Sequence, residues 1–201
     1  MTTSNQTLEL FAFTVENLKT VKRQIAKYPQ GRQQSAVLAV LDLAQRQCGG
    51  WLPQTAIESV AEILDMPRIR TLEVATFYSM FNLEPVGQHV VQVCTTTPCW
   101  LRGSADILAA CEQHLKINLG QTTDDRIFTL REVECLGACV NAPMMQIGDD
   151  YFEDLTADGV VSILEAFARG ETPKSGSQSG RHTSASEGLP TTLTQSAEGG
   201  G

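Results

Sequence analysis

His89-Val90-Val91-Gln92-Val93-Cys94-Thr95-Thr96-Thr97-Pro98-Cys99 carries the decisive pattern, and Phe128-Thr129-Leu130-Arg131-Glu132-Val133 running on to Cys135-Leu136-Gly137-Ala138-Cys139 repeats it. In each, a short apolar run reads as a strand, and a cysteine pair follows among small, hydroxyl or turn-forming residues that read as a loop. The gaps within the pairs are four and three residues, and thirty-five residues separate the pairs. A redox dithiol favours the Cys-x-x-Cys spacing, and a zinc knuckle typically has about two to four intervening residues. Two wide loops converging from separate strand ends suit an iron–sulfur cluster on four thiolates, with backbone amides near its sulfurs. With no histidine beside Cys94, Cys99, Cys135 and Cys139, two thiolates on each of two irons is the expected arrangement, a [2Fe–2S] centre rather than a Rieske one. On spacing alone, structural zinc and buried or redox-sensing thiols stay open as alternatives.

Working outward, the 201-residue chain is 42% hydrophobic and carries a formal charge of −8. That is enough apolar material for a core, and the acidic balance argues against a nucleic-acid partner, which calls for a basic stripe. The richest apolar run, Ala36-Val37-Leu38-Ala39-Val40-Leu41, stops at Asp42, far short of the roughly 20 residues of a membrane span. No direct membrane insertion is expected. The start, Met1-Thr2-Thr3-Ser4-Asn5-Gln6, lacks a basic secretory n-region or an Arg-rich transit pattern, so a cytoplasmic bacterial protein or a mature organelle chain is expected. In a reducing compartment, six cysteines point to metal ligands or buried thiols rather than disulfides.

Before the first cysteine pair the periodicity is helical. Thr14 reads as the cap of a helix ending near Tyr28-Pro29, and a second helix carries Val37, Leu38, Leu41 and Ala44 up to Gly49-Gly50. Thr55 reads as the cap of a third, and Pro67 as the first residue of a fourth that runs through Met80. Residues 1–84 are therefore expected to be a helical bundle whose role is contact. After Pro85-Val86-Gly87 the period becomes two. A strand, a helix capped by Ser104, a second strand, a hairpin about Gly148-Asp149 and a helix capped by Thr156 give the order β-α-β-β-β-α over 85–170. That order is thioredoxin-like in outline, and the fold class is α+β. From Glu171 to Gly201 the composition collapses into Ser, Thr, Gly and Pro, and a disordered tail is expected.

Other chemistry-bearing side chains have modest roles in this reading. Thr95, Thr96 and Thr97 either donate to sulfurs or cap the loop; Trp100 either shields the site or packs on the sheet; Arg102 pairs with cluster charge, with a partner's carboxylate, or with neither. Gly137 and Ala138 let the backbone approach a sulfide, and Pro98 and Pro143 stiffen the loops. Cys111 falls on an apolar helix stripe and Cys48 ends a helix, so both read as inert thiols. His89 and His114 read as structural or solvated. No catalytic residue is singled out. The phosphate-loop, dinucleotide and His-Glu-x-x-His motifs are missing from the sequence, so no NADH or flavin site of the chain's own is expected.

The stretch Ala75-Thr76-Phe77-Tyr78-Ser79-Met80-Phe81-Asn82, then Pro85-Val86-Gly87, then Val93 through Ser104 closely resembles the 24 kDa [2Fe–2S] subunit family of respiratory complex I, the NADH–quinone oxidoreductase of bacteria. Asp125, Phe128 and Thr129 leading into Cys135-Leu136-Gly137-Ala138-Cys139 and Ala142-Pro143 match the same family. The resemblance covers roughly residues 10–170 and implies a thioredoxin-like [2Fe–2S] ferredoxin domain, with Cys94, Cys99, Cys135 and Cys139 as the ligands of one cluster. It further implies docking on the flavin- and NADH-binding subunit, and through it on the peripheral arm of a proton-translocating complex at the cytoplasmic side of the inner membrane. The cluster would accept single electrons from the flavin. The small subunit of a soluble NAD-linked hydrogenase or formate dehydrogenase shares this cysteine pattern. A zinc-stabilised thioredoxin-like adaptor is the rival from another class.

Overall fold

In the computed structural model, which describes residues 11–182 and 184, the chain divides into two units, Met1–Val86 and Gly87–Gly201. The first is helical: α1 (Val15–Ile25), α2 (Val37–Gln47) after a 3₁₀ turn at Gln33–Ala36, α3 (Gln54–Ile63) and α4 (Arg68–Phe77). Thr14 caps α1 as expected, its hydroxyl accepting from the Asn17 N–H. Val21, Val40, Leu41, Ala44, Ile57, Val60 and Leu64 recur at helical spacing and meet in one core. Burying each large aliphatic side chain contributes about 1.5–3 kcal/mol.

Four boundaries in this unit differ from the sequence reading. The first helix ends at Ile25, because the Lys27 and Tyr28 amides turn back to Gln24 and Ile25. Pro53, not Thr55, stands before α3, its carbonyl taking the Ala56 and Ile57 amides. Pro67 is the cap of α4 rather than its first residue, and the helix stops at Phe77 instead of running to Met80. The segment past Phe77 is claimed by a tertiary contact. Buried Gln45 accepts from the Asn82 N–H at 2.7 Å and donates to the Met80 carbonyl at 3.0 Å, while Asn82 donates to Gly50 O at 2.7 Å.

The second unit holds β1 (His89–Cys94), α5 (Thr97–Leu101), α6 (Ser104–Leu115), β2 (Phe128–Val133), β3 (Met145–Ile147), β4 (Asp150–Glu153), α7 (Ala157–Ala168) and β5 (Gly176–Ser177). The sheet order is β2-β1-β3-β4-β5. The pairs β1–β2 and β4–β5 are parallel, and β3 is antiparallel to both its neighbours. Val91, Val93, Leu130, Ile147 and Phe152 meet Ile107, Cys111, Val160, Ile163 and Leu164 in one core, so α6 and α7 cover the sheet. Thr156 caps α7 through the Gly159 N–H.

Ser104 is not a cap. The chain turns out of α5 at Gly103 with φ of 92°, a conformation glycine adopts freely, and Ser104 enters the helix as a buried first residue. The expected unstructured tail also departs from the reading in its first part. Gly176–Ser177 adds a parallel edge strand to β4, and the Gln178 N–H donates to Glu153 O at 2.9 Å. The edge of β4 supplies the backbone partners that the segment's own composition does not. Residues 183 and 185–201 lie outside the described residues.

Candidate metal centre

The site grows from one register. Cys94, the last residue of β1, is paired with Val133, the last of β2. Parallel strands end at the same edge, so Cys94 and the loop that starts after Val133 leave the sheet together. The Thr95 N–H donates to Val133 O at 3.3 Å and the Cys94 N–H to Met144 O at 3.2 Å, fixing both exits. Cys99 then sits in α5, a short helix that the sequence reading treated as loop. Its signal, a proline in the first turn, is present but brief.

The four thiols fall into an inner and an outer pair. Cys94 and Cys99 are buried, with Ala138, Ala142 and Met144 beside them and Leu136 and Tyr151 packed against this wall. Cys135 and Cys139 are exposed, their sulfurs 3.2 Å apart. None of the four is in a disulfide. Among the described residues, no three or more His, Cys, Asp or Glu side chains are arranged to hold a metal ion. The thiols fall two and two, and a [2Fe–2S] centre takes two thiolates on each iron.

The electrostatics couple the thiols within each pair most strongly, with smaller contributions from Cys94 on Cys135 and Cys139, and from Cys139 on Cys99, across the pairs. Burial raises the Cys94 thiol, but hydrogen bonds from the Thr96 side chain and amide, from Cys99 and from the Leu136 amide outweigh it and hold it below the ordinary range. Burial pushes Cys99 up to about 12, helped by the neighbouring Cys94. The hydrogen bond from Cys139 and the Gly137 amide lower Cys135, and that same contact with Cys135 raises Cys139. Within each pair one thiol is lowered and the other raised, so each pair favours one thiolate over two, and a second calls for a cation between the sulfurs. Gly137, at φ of 87°, turns its N–H onto Cys135 Sγ at 3.4 Å. These amide donors and this thiolate set fit an iron–sulfur cluster.

The remaining sequence candidates are placed as follows. Thr96 Oγ1 shares a hydrogen bond with Cys94 Sγ at 3.4 Å, whereas Thr95 Oγ1 donates to Glu132 at 2.6 Å, away from the sulfurs. Trp100, 64% exposed, does not pack on the sheet, and Arg102 approaches the Ala142 carbonyl. Pro143 follows Ala142 through a cis bond. Cys111 is fully buried, and burial pushes it up to about 12. Cys48 is half-buried on the helical core. His89 packs against Phe167 and Phe128, and His114 lies in the last turn of α6. Sequence reasoning missed Met144 and Tyr151, whose hydroxyl donates to Leu136 O at 2.8 Å; their contacts span the fold, and nothing local marks them.

The family described as Thioredoxin-like [2Fe-2S] ferredoxin matches residues 21–168. The chain is 58% identical to an NADH-quinone oxidoreductase subunit of Rickettsia conorii over 161 residues, 80% of this chain and 96% of that protein. It is 51% identical to a mitochondrial NADH dehydrogenase [ubiquinone] flavoprotein 2 of Dictyostelium discoideum over 178 residues, 89% of this chain and 71% of that one. A chain of an NAD+-reducing [NiFe]-hydrogenase, solved in the H2-reduced state, shares the fold with a TM-score of 0.58 at 20% identity, over 68% of this chain and 22% of that one.

Proposed function

The chain belongs to the thioredoxin-like [2Fe-2S] ferredoxin family, and from that premise we propose that it is the electron-transfer subunit of the NADH-oxidising module of a respiratory NADH–quinone oxidoreductase. One [2Fe–2S] cluster is held by Cys94, Cys99, Cys135 and Cys139. The observation that carries this reading is the parallel β1–β2 edge, which delivers a buried and an exposed thiol pair to one place.

When bound, the cluster supplies a site that takes up and releases one electron at a time. The protein's own part is to seat and tune it. Ala138, Ala142 and Met144 keep water from the inner pair. The amides of Leu136 and Gly137 and the Thr96 hydroxyl donate to sulfur, which favours the more negative charge state the site must tolerate. The outer pair faces solvent, where a redox partner approaches. NADH and flavin are assigned to a partner subunit, and proton translocation to the assembly as a whole. Among the described residues no helix is long and apolar enough to cross a membrane, and we place the chain peripherally, on the cytoplasmic side.

High identity along nearly the whole of the bacterial relative favours a quinone reductase over the small subunit of a soluble hydrogenase, with which the shared feature is the fold. The deciding experiment is anaerobic purification from the native host, with iron and acid-labile sulfide counts and paramagnetic resonance before and after dithionite. A brown protein, paramagnetic only when reduced and accompanied by a flavin-containing NADH dehydrogenase, is the expected result. A colourless zinc protein would end the electron-transfer reading, and copurification with a hydrogenase would reassign the parent complex.

A further inference from the structure

Cys139 lies in the least supported part of the site. It and Val140 are exposed, Val140 by 74%, between the buried Ala138 and Asn141, so burial holds the ends of this turn but not its crest. Its neighbours are held instead by a segment beyond the family match, which ends at residue 168. Arg181 Nη2 donates to Val140 O at 3.4 Å, and Ser184 Oγ to Ala138 O at 3.4 Å, so the carbonyls on either side of Cys139 are both gripped. The Asn141 side chain, fully buried, donates to His182 O at 2.5 Å.

The gripping segment is itself anchored on two acidic side chains. Asp154 accepts from Ser177 Oγ at 2.6 Å, Ser179 Oγ at 3.1 Å and Arg181 Nη1 at 3.0 Å. Glu153, 1% exposed, accepts from Asn141 Nδ2 at 2.7 Å and from the Ser184 N–H at 2.9 Å. Glu153 is the last residue of β4 and Asp154 follows it directly, so both anchors start at the sheet, and their partners reach the Cys139 turn. The bonds to the turn are individually long, and their effect rests on the anchors beneath them.

We propose that residues 176–182 together with Ser184 form a strap that positions the Cys139 turn, with Arg181 and Ser184 as positioning residues for this outer ligand. The strap limits how far Cys139 swings from Cys135 and hence how readily that side of the centre opens. Its role toward the cluster rests on the ligand set proposed above; its hold on the turn does not.

The test uses the full chain as wild type, Arg181→Ala, Arg181→Lys and Ser184→Pro, the last removing the N–H that Glu153 accepts. Amide hydrogen exchange is read first without cluster. Asn141 and Ala142, whose amides close the turn onto Ala138 O and Cys139 O, should exchange roughly fivefold faster in Arg181→Ala and Ser184→Pro, with α6 unchanged. Arg181→Lys should recover part of the protection. On the loaded protein, iron transfer to a chelator should accelerate by roughly threefold or more in the same two variants, with a broadened paramagnetic signal. Unchanged exchange at Asn141 and Ala142, or equal acceleration in α6, overturns the strap. A wild type that takes up no iron sinks the ligand reading, while the exchange comparison still decides the strap.

Discussion

Cys94 and Val133 are register partners on the last rung of the parallel pair β1–β2. Everything at the site descends from this rung: a parallel pair brings two segments, far apart in sequence, to one edge, Cys94 and Cys99 at the end of β1 and in α5, Cys135 and Cys139 after β2. The inner pair is sealed by Met144 and two alanines, the outer pair is open.

The ligand set is tested by alanine replacement. Cys99→Ala and Cys135→Ala should each lose the visible absorption and the reduced-state paramagnetic signal of the cluster. Cys48→Ala and Cys111→Ala should keep both, the latter at a cost of about 1 kcal/mol for the small cavity left in the sheet core. Full iron and sulfide in Cys135→Ala would show that the outer pair does not ligate.

Gly87 is required by close approach rather than by its backbone angle. A Cβ built there meets Phe128 backbone atoms at 2.7 and 2.9 Å, and its N–H donates to Thr129 Oγ1 at 2.7 Å. Gly87→Ala should therefore pry the entry of β1 from β2 and destabilise the protein by about 1–3 kcal/mol. Denaturant unfolding with an unchanged midpoint would refute this.

The Gln45–Asn82 clasp holds the chain that follows α4. Gln45→Ala leaves the Met80 carbonyl and the Asn82 N–H without this partner, at a cost of about 1–3 kcal/mol. The double variant with Asn82→Ala should cost less than the sum of the singles. Additive costs in a double-mutant cycle would mean the two side chains act separately.

His89 should give stability a pH slope. Burial holds its imidazole below the ordinary 6.5, against Phe167 and Phe128. The unfolded chain then binds the proton more readily than the folded one, so the stability tied to neutral His89 is present above pH 6.5 and is lost as pH falls below it. Unfolding midpoints between about pH 5 and about pH 8 should fall more steeply on acidification in wild type than in His89→Gln. Parallel profiles would count against it.

Much of this fold is legible locally. Thr14 and Thr156 announce their helices, because a side-chain oxygen beside free amides acts within a few residues. The alternation in His89–Cys94 and Phe128–Val133 marks both strands up to the cysteines. Illegible features depend on partners far along the chain. α4 ends early because Gln45 claims Met80 and Asn82. Gly176–Ser177 becomes a strand because β4 offers it an edge, although its composition reads as tail. The turn at Gly103 took the capping place from Ser104, whose burial was decided by packing.

By itself, then, the sequence determined the principal helices and strands, though not α5 or β5, together with the candidate thiols and the chemistry four such thiols invite, since spacing, side-chain period and ligand type are properties of the chain. Tertiary structure alone decided that the pairs share one edge, that Cys94 and Cys99 are buried while Cys135 and Cys139 are open, and that Arg181 and Ser184 reach the Cys139 turn. Register, burial and long-range hydrogen bonds arise between segments tens of residues apart, and only the folded chain brings those segments together.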